Sequence, residues 1–364
     1  MPASKKIGII TDPDFALKHE PPYPKPIFVA YEHPNRVKTI IDFLNSLQFF
    51  EDPRIQTFSP KNINESIIRL AHSDYHLKTI KNMAQRGGGT LGEEVFIVSD
   101  TFELAKKAIG GTIAALEAVL EGKVNQSFAL VRPPGHHAIR ERASGLCIFN
   151  NIATAINYLR ERKNYDKKIA IIDIDDHFGD GLCQYFYEDP SVLYFSVHEY
   201  DFVNGDVGYI DELGEDAGEG YNINFPIPYD CTDAHFSEFY EVMEAVLREF
   251  SPDLIIVATG FDMYFDDPVG NECLSSLAYH GFAKEILKIS EEVCEGKVAF
   301  VLEGGYSLIG LPLCVYAVLK GLLEEDFSQN FVENIHFKRA NSSIIQKTKK
   351  NLVGLLKKYW KCFK

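Results

Sequence analysis

The 364-residue sequence predicts an α/β protein built on a single parallel sheet, and three observations carry that prediction. Short runs rich in Ile and Val recur with apolar residues on both faces, as in strands covered from both sides. Segments with a 3.6-residue apolar period lie between them, so strand and helix alternate. No repeat, low-complexity stretch or Gly/Ser linker splits the chain, although its length alone allows two domains.

Ile7–Ile10 is the first apolar run and the first predicted strand. Thr101–Leu120 repeats apolar residues at helical spacing and leads into a strand at residues 128–131. A helix is predicted at 151–160, before strands at 169–174 and 192–197. Residues 201–220 are rich in Gly, Asp and Glu, which predicts a long surface loop. The remaining strands are predicted at 221–227, 254–258 and 298–302, with helices at 237–250 and 279–293 between them.

Composition narrows the function. With 37 Lys and Arg against 52 Asp and Glu, the net charge of −15 disfavours nucleic acid as a partner and favours attraction of a cationic substrate. The seven cysteines are odd in number, scattered and without a C-x-x-C pair, so free thiols in a reducing compartment such as the cytoplasm are expected. No run approaches the roughly 18 apolar residues of a membrane span. The start, Met1-Pro2-Ala3-Ser4-Lys5-Lys6, lacks the pattern of a cleavable export signal. From Phe331 onward nine Lys and Arg face the single acid Glu333, so the tail is basic and the rest more acidic still.

Open parallel sheets bind ligands beyond the carboxyl ends of their strands. Reactive residues follow the apolar runs five times. Arg132-Pro133-Pro134-Gly135-His136-His137 follows 128–131, and Asp173, Asp175, His177 and Asp180 lie at and after 169–174. Ser196 and His198 end 192–197, Gly260-Phe261-Asp262 follows 254–258, and Glu303-Gly304-Gly305-Tyr306 follows 298–302.

Each cluster has a chemistry. Asp175 and His177 are two residues apart, so an extended segment points both to one face. With Asp262 they make two carboxylates and an imidazole, a donor set that suits zinc with one position open; alone, the D-x-H pair reads equally as a loop or cap. Pro133-Pro134-Gly135 presents adjacent imidazoles fit for acid/base work, or for a hydrogen-bonded structural role. Asp173 and Asp180 are spare carboxylates, each able to accept an imidazole N–H and fix its tautomer. The glycines before Tyr306 make either a simple strand-to-helix turn or a flexible one that brings the phenol over a developing oxyanion.

Together, residues 132–138, 173–181, 260–268 and 303–306 resemble the zinc-dependent histone deacetylase superfamily, including the bacterial acetylpolyamine amidohydrolases and acetoin-utilisation proteins. Weaker likenesses are His33-Pro34-Asn35-Arg36 and Ala143-Ser144-Gly145-Leu146-Cys147, and the style is that of the bacterial branch. The resemblance implies the arginase–deacetylase fold, a three-layer α/β/α arrangement with a parallel sheet of about eight strands. It implies a catalytic domain over residues 1–330. A basic segment, 331–364, would pack on it through a closing helix at 341–360 whose apolar face includes Leu352, Leu355 and Leu356; a membrane- or partner-binding basic helix is the alternative.

By motif match, Asp175, His177 and Asp262 would hold one zinc ion. His136 and His137 would be the acid/base pair, backed by Asp173 and Asp180, with Tyr306 as electrophile. Potassium would sit at Asp173, Asp175, His177, Ser196 and Val197, with a second ion near Phe186, Asp189, Val192 and Tyr221. Iron or cobalt would suit the zinc donors as well. The substrate channel would include Gly145, Leu146, Val269 and Gly304. The implied reaction is hydrolysis of acyl-lysine in proteins, with acylated polyamines or other small amines as the alternative substrate; an inactive acyl-lysine-binding protein is the reading from another class.

Departures from the family pattern bear on the substrate. Phe178 stands where a second histidine is usual, Leu146 replaces a wall aromatic, and a Pro-Gly-Thr-Gly stretch is missing from 201–208. These predict a wider or reshaped tunnel and room for longer acyl chains. Val269 occupies the place of the gating glutamate of polyamine-selective relatives, leaving Glu93, Glu94 or Glu272 to supply negative charge at the rim. An arginase-like two-metal site would need a ligand at Tyr264.

Overall fold

The computed structural model describes residues 5–25, 27–327, 333 and 341–364. Met1–Ser4 and the expected boundary at 330/331 lie outside the described residues. The strands are β1 (Ile7–Ile10), β2 (Ile55–Phe58), β3 (Gly88–Leu91), β4 (Val95–Val98), β5 (Gln126–Ala129), β6 (Ile169–Asp173), β7 (Val192–Glu199), β8 (Asn222–Ile227), β9 (Leu254–Thr259) and β10 (Val298–Leu302). Eight of them form one parallel sheet in the order β2-β1-β5-β10-β9-β6-β7-β8, flanked by helices. This is the α/β architecture of the arginase–deacetylase fold. β3 and β4 pair separately as an antiparallel hairpin.

The interior strands are buried along their whole length, which is why they read as unbroken apolar runs. β2 differs because it lies at the sheet edge with a half-exposed Ile-Gln-Thr-Phe pattern, and its sequence gave no such run. β5 begins and ends two residues before the expected 128–131, since the chain leaves the ladder as it approaches Pro133 and Pro134, which have no N–H to contribute.

Helices fill the crossovers. Thr101–Leu120 packs on β1, β5 and β10, and Ser276–Cys294 packs on β9 and on the helix Gly310–Leu322. Local signals set their ends. The Asn150 side chain accepts the Ala153 N–H to start Asn151–Lys163, and Asn164 ends it in the left-handed region at φ 53°. Among the described residues no helix is long and apolar enough to cross a membrane.

The last helix, Ser342–Leu356, lies against β8 and buries Ile345, Thr348, Leu352 and Leu356. Leu355 departs from the expectation: it sits at the edge of the apolar stripe and is 37% exposed. Trp360 anchors the segment beyond the helix, its indole N–H donating to the Gly220 carbonyl at 2.9 Å.

Candidate active site

Five neighbouring strands, β5, β10, β9, β6 and β7, deliver the reactive residues at their carboxyl ends. Asp173 closes β6 and pairs in register with Ser196 of β7, so Asp173, Ser196 and Val197 come together under the site. Asp175 and His177 follow β6, Asp262 follows β9, and Glu303 to Tyr306 follow β10. The segment carrying His136 and His137 follows β5, beside β10.

Donor atoms of Asp175, His177 and Asp262 all lie within 4.8 Å of one another. His177 Nδ1 is 3.3 Å from Asp175 Oδ1 and 3.4 Å from Asp262 Oδ2. The Gly304 N–H donates to Asp175 Oδ2 at 2.8 Å and the Asp176 N–H to Asp262 Oδ1 at 3.0 Å. Asp262 Oδ2 is buried without a hydrogen-bond partner. A buried carboxylate oxygen left free costs stability unless something cationic meets it. Two carboxylates, an imidazole and this free oxygen fit a divalent metal such as zinc. Gly304 leaves the room: a Cβ there would meet Asp262 Oδ2 at 2.2 Å and Asp175 Oδ2 at 2.5 Å.

The two histidines lie side by side near these donors, their rings tilted by 48° with centroids 4.0 Å apart. His136 Nδ1 is 3.4 Å from Asp173 Oδ2, and His137 Nδ1 is 2.8 Å from Asp180 Oδ1. Burial disfavours charge on His136, but the carboxylates of Asp175 and Asp173 override it and raise the ring to about 10. Burial and the neighbouring His136 charge lower His137. The pair is thereby pushed in opposite directions, as acid and base partners are. A divalent ion on Asp175 would weaken the upward pull on His136.

Tyr306 faces the same cavity, and burial raises its phenol well above the usual range, so it remains an O–H donor at neutral pH. Its main-chain N–H and that of Ser307 both donate to Asp267 Oδ2, at 2.6 and 2.8 Å. Arg36 lies 4.6 Å from the Tyr306 ring centroid and donates to the carbonyls of Glu303 and Gly305. Arg36 had shown itself in the sequence only as part of His33-Pro34-Asn35-Arg36, without a role. Two further supports carried no sequence signal: the Tyr194 hydroxyl donates to Asp173 Oδ2 at 2.9 Å, and Glu303 Oε2 accepts the N–H groups of Gly135 and His136. Tyr194 is hidden in a strand run, and Glu303 drew attention only as the start of a glycine turn.

These groups open into a cavity of about 310 Å³ whose lining includes His136, His137, Asp175, His177, Tyr306 and Phe178. Gly145 and Val269 line it as expected of channel residues. Gly145 has φ +49° and lies so close to the His137 ring that a Cβ would meet it at 2.4 Å. Leu146 and Gly304 do not line it. Leu146, at φ 67°, turns inward to pack with Val29, Phe96 and Tyr306, while Gly304 lies beneath the metal donors. Glu94 reaches the cavity wall and Glu93 is exposed nearby, but Glu272 is buried, its carboxylate drawn inward by the Cys231 N–H, and is not a rim residue. Phe178 packs on His198 at 4.8 Å and forms part of the wall. Among the residues expected near a second ion, the Asp189 carbonyl accepts the Val192 N–H, and its carboxylate meets Arg160 at 2.7 Å. Tyr264 packs on Phe265 at 4.6 Å and supplies no metal donor.

Residues 30–322 match the Histone deacetylase domain. The chain belongs to the histone deacetylase family. This deacetylase is 32% identical over 369 residues to a probable deacetylase of Archaeoglobus fulgidus, covering 98% of this chain and 99% of that one. It is 34% identical over 265 residues to the histone deacetylase-like amidohydrolase of Pseudomonas aeruginosa, covering 72% and 69% of the two chains. Against Histone deacetylase 18 of Arabidopsis thaliana it is 32% identical over 338 residues and spans 48% of that protein. The crystal structure of the HDA15 HD domain superimposes with a TM-score of 0.86 at 27% identity, covering 99% of this chain and 97% of that one. Deacetylases of this family are hydrolases of amide bonds and generally zinc-dependent, and this chain is an enzyme of that class.

Proposed function

We propose that this deacetylase hydrolyses the amide of an acylated lysine in a protein or peptide, with one zinc ion held by Asp175, His177 and Asp262. The observation that carries the reading is the convergence of that donor trio, both histidines and Tyr306 on one cavity. Zinc bound there supplies Lewis acidity toward the acyl oxygen and toward a water. His137, fixed by Asp180 through Nδ1, offers Nε2 to take the proton of the attacking water and later return it to the leaving amine. His136, paired with Asp173 through Nδ1, opposes as a cation the negative charge that develops on the acyl oxygen. Tyr306 donates its O–H to the same oxygen. Potassium is proposed at Asp173, Asp175, His177, Ser196 and Val197, and near Phe186, Asp189, Val192 and Tyr221. Seven cysteines, none in a disulfide, support a reducing, cytoplasmic setting.

An acylated small amine is the second reading. The cavity lining includes Glu94, Asp176, Asp180, Glu199 and Asp206 but no Lys or Arg, a field that attracts a substrate with a free ammonium group. The withdrawal of Leu146 from the wall favours acyl chains longer than acetyl. One panel tests these alternatives: acetyl-lysine peptides, longer acyl-lysine peptides and acetylpolyamines, with and without a zinc chelator. Chelator-sensitive turnover of the peptides is expected. Turnover confined to acetylpolyamines would replace the substrate assignment, and none at all by zinc-loaded protein would overturn the catalytic one.

A further inference from the structure

Beside the zinc donors lies a second cluster that the proposed reaction does not use. Asp176 follows β6, Glu199 ends β7, and Glu272 sits in the connection between β9 and the helix Ser276–Cys294. Donor oxygens of the three lie within 4.8 Å of one another. Asp176 and Glu272 are 1% and 3% exposed.

Three carboxylates at this separation repel, and each keeps an oxygen free. Asp176 Oδ1, Glu199 Oε2 and Glu272 Oε1 are buried and, among the described residues, have no hydrogen-bond partner, so no described Lys or Arg N–H reaches them. Their other contacts hold the carboxylates in place and come from Asn271 and Cys231, whose side chains reach Glu199 and Glu272 and whose main chains also donate. The Asn271 N–H reaches Asp176 Oδ2 at 3.4 Å, and the Cys231 N–H donates to Glu272 Oε2. The Glu199 N–H donates to the Asp176 carbonyl at 2.8 Å and pins two of the segments together. A free buried carboxylate oxygen is costly, and three facing one another are more so, unless a cation joins them.

We propose that Asp176, Glu199 and Glu272 form a second metal site, for a divalent cation that prefers oxygen ligands. The donor set is all carboxylate, which suits hard cations of the calcium or manganese kind. The spacing agrees, since donors on opposite sides of an ion bound at 2.3–2.6 Å lie at most about 5.2 Å apart. Charge agrees as well: a monovalent ammonium group would leave most of the three negative charges unopposed. Asp176 and Glu199 also line the cavity, which gives the ion a way in. The hydrogen bond from the Asp176 N–H to Asp262 ties the second site to the first.

The test starts from full-length protein carrying one equivalent of zinc, titrated with Ca²⁺ or Mn²⁺ by calorimetry and followed by metal analysis after gel filtration. Wild type is expected to take one further ion per chain and to melt at higher temperature in its presence. Glu272→Gln and, separately, Asp176→Asn are expected to weaken that ion by at least about tenfold, because affinity at such sites follows the number of ligand charges. Their zinc content and circular dichroism are expected to match wild type. Asp262→Asn reports the first site by loss of zinc, so failure there is distinct from failure here. The proposal is overturned if wild type binds no further ion up to about 10 mM, beyond the weakest usual protein sites. It is equally overturned if both variants bind the ion as tightly as wild type, or if Glu272→Gln alters only the KM of diamine substrates.

Discussion

At Gly304 the absence of a side chain is what lets Asp175 and Asp262 approach each other. Gly304→Ala is therefore expected to lower metal affinity at least about tenfold by displacing ligands, with the fold intact, as metal analysis and circular dichroism would show. Tyr306→Phe should keep the metal and lose about 10²–10³-fold in kcat, the usual cost of one oxyanion donor. A loss below tenfold would remove Tyr306 from the chemistry. The named groups of the site were legible because reactive side chains after apolar runs stand out in a sequence. Their supports were not, since Tyr194 reads as one more strand aromatic and Glu303 as the start of a glycine turn until the fold turns each inward.

Among the elements, the terminal helix separates packing from mere hydrophobicity. Leu352 is fully buried against the body of the protein while Leu355 is 37% exposed. Leu352→Ala should cost about 2–5 kcal/mol and Leu355→Ala less than about 1 kcal/mol, measured as urea unfolding free energies. Equal effects would mean the helix does not dock along this stripe. Its start was legible from the sequence, but the helix ends at Leu356 and not at the expected 360, and a stripe edge cannot be told from its centre by spacing alone. Seven strands of the large sheet announced themselves by apolar runs; β2 did not, because an edge strand is wetted on part of its surface and mixes Gln and Thr with Ile and Phe.

For the whole molecule, acid should act through histidines held neutral in the interior. Burial lowers His19 and His72 to about 3 and His198 to about 4. A depressed histidine contributes stability that is full above the unfolded value of about 6.5 and is lost as pH falls toward the folded one. Each should remove about 1.4 kcal/mol per pH unit in that window, while Glu303 and Asp267, raised to about 7, take up protons in the folded state and oppose that loss. Replacing His72 by Gln is therefore expected to make the urea midpoint less sensitive to acid between pH 7 and pH 5 than that of wild type. The net charge of −15 and the acidic cavity act at the same scale: kcat/KM for a cationic substrate should fall as salt rises, and a neutral acyl-amide should show little change. The strand order carries one more consequence. β10, the last strand among the described residues, lies between β5 and β9 and joins β2-β1-β5 to β9-β6-β7-β8. During synthesis the two half-sheets must wait with raw inner edges until residue 302 leaves the ribosome, a window in which chaperones, or the wrong neighbour, have their best chance at this chain.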